Sequence, residues 1–131
     1  MNESRVYKLW VLGRPTPKAR PRKGKKNFYT PKRTKEWENL VAWKWIEKHG
    51  NEVAFPNGEV ELKAVFYYSD RRTADIDNLA KSLADSLNGL AYADDKQVAH
   101  MDVTRVTNAE VEGVEIEVRP WDGGEGIAPA E

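Results

Sequence analysis

Cysteine is absent from the 131 residues, and histidine occurs only twice, at His49 and His100. Disulfide frameworks, thiolate zinc sites and cysteine nucleophiles are thereby excluded, and a polyhistidine metal site has too few ligands. A bound metal is left with carboxylates. No apolar run approaches the roughly 18 residues of a membrane span, and the Met-Asn-Glu-Ser start lacks the basic-then-apolar order of a secretory leader. A cytoplasmic protein with no membrane partner is expected. Net charge is missing too, because 21 basic and 21 acidic side chains cancel. Hydrophobic residues, at 40%, suffice for one core. A single domain over residues 1–120 is expected, burying about two-thirds of its unfolded surface.

The cancellation is not local. Residues 14–35 hold ten basic side chains (Arg14, Lys18, Arg20, Arg22, Lys23, Lys25, Lys26, Lys32, Arg33, Lys35) and no acid, which leaves the remainder acidic. Such a segment suits a polyanion, and the acids must then lie away from that partner or bind cations.

Residues 5–12 alternate as a strand does, with Val6, Lys8, Trp10 and Leu12 on one side and Tyr7, Leu9 and Val11 on the other. Both faces are apolar enough to be covered. Residues 13–29 contain three prolines, two glycines and most of the basic charge, and read as a long loop. Thr30-Pro31 offers a hydroxyl N-cap and a first-turn proline, and Trp37, Leu40, Val41, Trp45 and Ile46 carry a helix to Gly50. Trp43 widens its apolar surface, so this helix is expected to touch both the sheet and a second subunit. A second strand over residues 60–68 follows the turn Pro56-Asn57-Gly58. Ile76, Leu79, Ala80, Leu83, Ala84 and Leu87 then fall at helical spacing up to Asn88-Gly89. Residues 97–107 and 114–119 alternate again and suggest an antiparallel pair. The order is β-α-β-α-β-β, and residues 121–131 read as a disordered tail.

Residues 75–78 are Asp-Ile-Asp-Asn, placed where the second strand's connection enters the second helix. On an extended backbone Asp75 and Asp77 project to one side and Ile76 to the core. Lys81 follows Asp77 by four residues on the same helix face, and Asp85 follows by four more. Asp94-Asp95 precedes the next strand, and packing of that strand on the helix can return it toward the first pair. Carboxylates converging with a lysine are what a Mg²⁺-dependent phosphodiesterase needs. A hard cation takes oxygen ligands, binds phosphate oxygens and lowers the pKa of a bound water, while a lysine offsets charge that builds in the transition state. The plain structural alternative makes Asp75 and Asp77 helix-start residues and Asp94-Asp95 an ordinary turn. An EF-hand does not fit, since its glycine and terminal glutamate positions fall on Ala80 and Ser86.

The run Asp75-Ile76-Asp77-Asn78-Leu79 with Lys81, Asp85, Leu87 and Gly89, followed by Asp94-Asp95-Lys96-Gln97-Val98, resembles the signature of the RusA family of Holliday junction resolvases. Gly13-Arg14-Pro15, Pro17-Lys18, Arg20-Pro21-Arg22 and Tyr29-Thr30-Pro31 are similar to the N-terminal part of the same family. Ser86 and the neutral overall charge depart from it. The resemblance implies an α+β fold, a small mixed β-sheet with two main helices, and a homodimeric endonuclease that resolves four-way DNA junctions with Mg²⁺. It implies Asp75, Asp77 and Asp95 as the essential acids and metal ligands, and Lys81 as the essential lysine. Asp94 is the weaker choice of the adjacent pair, and Mn²⁺ is the alternative ion.

Duplex DNA is held chiefly through its phosphates. Lys18, Arg20, Arg22, Lys23, Lys25 and Lys26 are the expected contacts, with Arg71 and Arg72 holding phosphates that flank the cut. Phe28 and Tyr29 either stack on an unpaired base or anchor the loop. Both histidines read as structural. The leading expectation is a crossover junction endodeoxyribonuclease making paired nicks in recombination and repair, nucleoid-associated when on DNA. The alternatives are a non-cutting DNA-binding or architectural module and a less selective flap or fork nuclease. The clustered acids argue for cutting, since a pure binder gains nothing from them beside phosphate.

Overall fold

In the computed structural model, which describes residues 5–18 and 32–123, the alternating segments become four strands and the two helical patterns become helices. In chain order these are β1 (Tyr7–Leu12), α1 (Lys32–His49), β2 (Val60–Tyr67), α2 (Ile76–Ser86), a 3₁₀ turn (Asp95–Gln97), β3 (Val98–Val106) and β4 (Gly113–Pro120). They form one mixed sheet in the order β1-β4-β2-β3. The α+β class and the element order are as expected.

The expected antiparallel pairing of the last two strands is not found. β4 runs antiparallel to both β1 and β2, and β3 lies parallel to β2 on its other side. α2 explains the difference. It carries the chain from the end of β2 back to its beginning, so β3 must start beside the start of β2 and run with it. β4 then takes the remaining edge of β2 and becomes central. Its burial fits that place, with Val114, Ile116 and Val118 buried, whereas β3 has no fully buried residue.

One sheet face presents Leu9, Val11, Leu62, Ala64, Phe66, Val114, Ile116 and Val118 to the helices, which answer with Trp37, Val41 and Trp45 from α1 and Leu79, Leu83 and Leu87 from α2. Trp37 and Trp45 are core residues, exposed by 4% and 0%. The subunit contact expected of this helix therefore cannot rest on them; only Trp43, 69% exposed, points outward. β1 is covered on one face only, since Trp10 and Leu12 alternate outward with Leu9 and Val11. Trp10 lies across Gly113, where a Cβ would stand 2.4 Å from the indole, and meets Tyr67 edge to face. Trp121 is anchored: its N–H donates to the Glu59 carbonyl and its ring stacks on His100. The rest of the expected tail, residues 124–131, lies outside the described residues, as does the Thr30-Pro31 helix start.

Candidate active site

Asp75 sits at the N-cap of α2 with an extended backbone (φ −63°, ψ 135°), yet its side chain makes no capping hydrogen bond. The helix-start reading of that acid is thus unsupported by its geometry, because a capping Asp accepts from the N–H groups of the first turn. Among the described residues, Asp77 accepts locally, from the Asn78 N–H at 2.9 Å. Asp75, Asp77 and Lys81 are all exposed. The amphipathic spacing buries Leu79, Leu83 and Ala84 and leaves Asp77, Lys81 and Asp85 in line on the opposite face.

The second acidic pair is built differently. Asp94 caps the 3₁₀ turn, accepting from the Lys96 N–H at 3.0 Å, and Gln97 completes a capping box. The Gln97 amide oxygen accepts from the N–H groups of Ala93 and Asp94, and its amide nitrogen donates to the carbonyls of Phe55 and Gly58. Gln97 therefore fixes the Asp94-Asp95 turn against the segment before β2. Tyr92, fully buried, donates its hydroxyl to the Ala84 carbonyl at 2.7 Å and ties the same turn to the end of α2. Desolvation raises the Asp95 pKa, as do Asp94 and Asp85, against the lowering influence of Lys81. The Lys96 N–H lowers that of Asp94. Asp94 is thus engaged as a cap, while Asp95 feels the charges of Asp94, Asp85 and Lys81.

The acids form a row rather than a single cluster. Asp75 and Asp77 lie at the start of α2 and Asp85, Asp94 and Asp95 at its end, and Asp77 and Asp85 are separated by about 12 Å of helix rise. Lys81 stands between. Among the described residues, no group of three carboxylate or histidine side chains is close enough to hold a metal ion. The close convergence expected from the sequence is therefore not present. The donor chemistry nonetheless suits a hard dication, being all carboxylate oxygen.

Of the expected DNA contacts, Arg71 and Arg72 are exposed beside the acids. Lys18 is engaged internally, its ammonium 2.9 Å from Glu38 and 2.9 Å from Asp85. Arg20, Arg22, Lys23, Lys25 and Lys26, like Phe28 and Tyr29, lie outside the described residues. His49 meets the Lys8 carbonyl at 2.8 Å and packs on Tyr7 and Trp45, and His100 pairs with Glu61. Both have structural surroundings, as expected.

Gln97, Glu38 and Arg14 were not singled out for the site from the sequence. Their roles depend on partners between 20 and 98 residues away, which spacing does not show.

The comparison with protein families matches residues 13–119 to the endodeoxyribonuclease RusA model. The chain belongs to the RusA family. It is similar to the crossover junction endodeoxyribonuclease RusA of Aquifex aeolicus (strain VF5), with 27% identity over 127 residues, covering 92% of this chain and 97% of that relative. The RusA match runs from just after β1 into β4 and so includes the acid row, Lys81 and both exposed arginines. No helix among the described residues is long and apolar enough to cross a membrane.

Proposed function

We propose that this chain is a Mg²⁺-dependent, structure-selective endonuclease that resolves four-way DNA junctions by paired nicks, acting as a homodimer in the cytoplasm. The observation that carries the reading is the start of α2, where Asp75 occupies the N-cap without a capping hydrogen bond and Asp77 lies one turn before the exposed Lys81, all within the RusA match. Asp75, Asp77 and Asp95 would hold the metal, with Asp94 contributing chiefly through the turn it caps. A bound Mg²⁺ would supply a Lewis acid for the phosphate and a more acidic water.

The chain's own residues do the remaining work. Lys81, on the exposed face between the two acid groups, offsets negative charge on the phosphate undergoing attack. Arg71 and Arg72, exposed in the connection that leads to Asp75, hold neighbouring phosphates, and the basic residues of 20–26 extend that contact along the backbone. Acids so close to DNA weaken binding unless a cation sits among them, which ties binding to the metal rather than to net charge.

A cleavage assay on a synthetic four-way junction beside linear duplex of the same sequence, with and without Mg²⁺, tests the reading. Paired, symmetric nicks in the junction alone, dependent on the ion, are the expected result. Binding without cutting would favour the architectural module, and equal cutting of flaps and forks the less selective nuclease.

A further inference from the structure

Residues 68–74, which connect β2 to Asp75, pass through no helix or strand, yet their alternate carbonyls are all engaged. The Tyr68 carbonyl accepts from the Ala109 N–H at 2.9 Å and the Asp70 carbonyl from the Asn108 N–H at 3.4 Å. Asn108 adopts φ 56° to present that N–H. The Arg72 carbonyl accepts from Arg14 and the Ala74 carbonyl from Arg105, the latter at 2.6 Å. Two of these four grips are guanidinium groups from distant parts of the chain, Arg14 just after β1 and Arg105 on β3.

Arg14 is itself held. It pairs with Glu112 at 2.5 Å and Asp70 at 3.3 Å, and its guanidinium lies 4.7 Å above the ring of the buried Tyr68. Glu112 in turn accepts from the N–H and hydroxyl of Ser69. Arg105 differs. It lies on the exposed edge strand β3, beside Phe66 of β2, and among the described residues its guanidinium donates to the carbonyl of the residue before Asp75. A charged donor on an exposed strand, aimed at a backbone carbonyl, contributes little to the core but fixes where the next residue starts.

We propose that Arg105, seconded by Arg14, is a positioning residue that sets Asp75 and Asp77 relative to Lys81 and Asp95. This rests on the assignment of Asp75 and Asp77 to the active site. The row of acids must close on one phosphate, and small displacements of reacting groups are costly, about 10²-fold for 1 Å. Losing the guanidinium contacts at Arg72 and Ala74 would loosen the backbone that leads directly into Asp75.

The experiment compares wild type, Arg105→Ala and Arg105→Lys in three measurements: single-turnover cleavage at saturating enzyme, junction affinity as a function of salt without divalent metal, and amide hydrogen exchange over residues 73–79. Arg105→Ala is expected to slow cleavage by about 10²-fold, leave affinity and its salt dependence unchanged, and accelerate exchange in 73–79 by about tenfold. Arg105→Lys, which keeps a cationic donor, should recover most of both losses. Weakened affinity with a smaller salt slope would overturn the proposal in favour of a phosphate contact, and unchanged exchange and cleavage would overturn it outright. A general loss of protection and of melting temperature in both variants would also overturn it, since it would make Arg105 a fold residue. Exchange is independent of substrate. Should wild type prove inactive on junctions while the exchange pattern holds, the junction reading fails and the positioning role stands.

Discussion

The Lys18 ammonium stands 2.9 Å from Glu38 on α1 and 2.9 Å from Asp85 on α2, joining the two helices through one cation. The Lys18 N–H also donates to the Asn78 carbonyl at 3.0 Å. Desolvation alone would lower its pKa, but the two carboxylates outweigh that and raise it. Removing the cation leaves Glu38 and Asp85 facing each other partly buried. Lys18→Met is therefore expected to destabilise by about 1–3 kcal/mol while leaving the salt slope of DNA binding unchanged. Arg71→Ala and Arg72→Ala should reverse the pattern, each lowering the slope by about 0.9 per lost phosphate contact. Denaturation and salt titration of the three variants separate the roles, and a lower slope for Lys18→Met returns that residue to the DNA interface.

The Asp94–Asp95 pair offers a similar separation. Asp94→Ala removes the cap on the 3₁₀ turn, so a lower melting temperature and only partial loss of cutting are expected. Asp95→Asn leaves the cap intact and removes a carboxylate that feels the charges of Lys81 and Asp85. Cutting should vanish with little change in melting. Equal loss of cutting in both, at equal stability, would contradict this division of labour.

Stability should fall in acid through Glu112. The Ser69 N–H, the Ser69 hydroxyl and Arg14 hold its carboxyl below the ordinary value of 4.5. A depressed folded pKa means the ionised form is favoured by folding, so its contribution is complete above about pH 4.5 and disappears as pH falls through the lower folded value. Glu112→Gln should flatten the acid limb of a pH–stability curve measured by urea unfolding. An identical acid limb in the variant would show that the Arg14 network does not contribute.

Gly113→Ala should destabilise by about 1–3 kcal/mol from overpacking. The added Cβ would lie 2.4 Å from the Trp10 ring and 2.7 Å from the Val11 carbonyl. Trp10→Leu in the same chain should recover only part of the loss, because the backbone contact persists. Full recovery would place the whole conflict at the indole.

What the sequence reveals here follows the range of each signal. The α2 stripe of Leu79, Leu83 and Leu87 is local and is found as read, whereas the extended Asp75–Asp77 run is not, because α2 begins at Ile76 and Asp77 is already helical. The 97–107 and 114–119 segments were legible as strands, but alternation reports how many faces a strand buries, not which strand lies beside it. β3 and β4 accordingly both flank β2 instead of pairing. Trp37 and Trp45 fell on a helical stripe compatible with core or interface, and only the packing of α1 on the sheet decides for the core. The row arrangement of the acids was hidden for the same reason. It depends on the length of α2 between the two pairs and on Gln97, whose four hydrogen bonds reach back as far as Phe55.

On the proposed function, the one acid row among the described residues of each chain would supply one nick, whereas a four-way junction yields ligatable duplexes only when two strands of like polarity are cut. A two-fold dimer places the second row on the matching strand and shares the junction's own symmetry. Trp37 and Trp45 are unavailable for the contact, but the open sheet face is available: Trp10 and Tyr67 lie there beside Glu115, and Lys8 and Lys63 flank Glu117. A two-fold axis through that face sets each subunit's lysines against the other's glutamates. Trp10→Arg should therefore abolish paired cutting and give a monomer, while Trp43→Arg should not. Mixing wild-type with Asp77→Asn subunits should give heterodimers that nick one strand and leave its counterpart intact. Sedimentation of wild type as a monomer, both free and on DNA, at concentrations that support paired cutting would rule the dimer out.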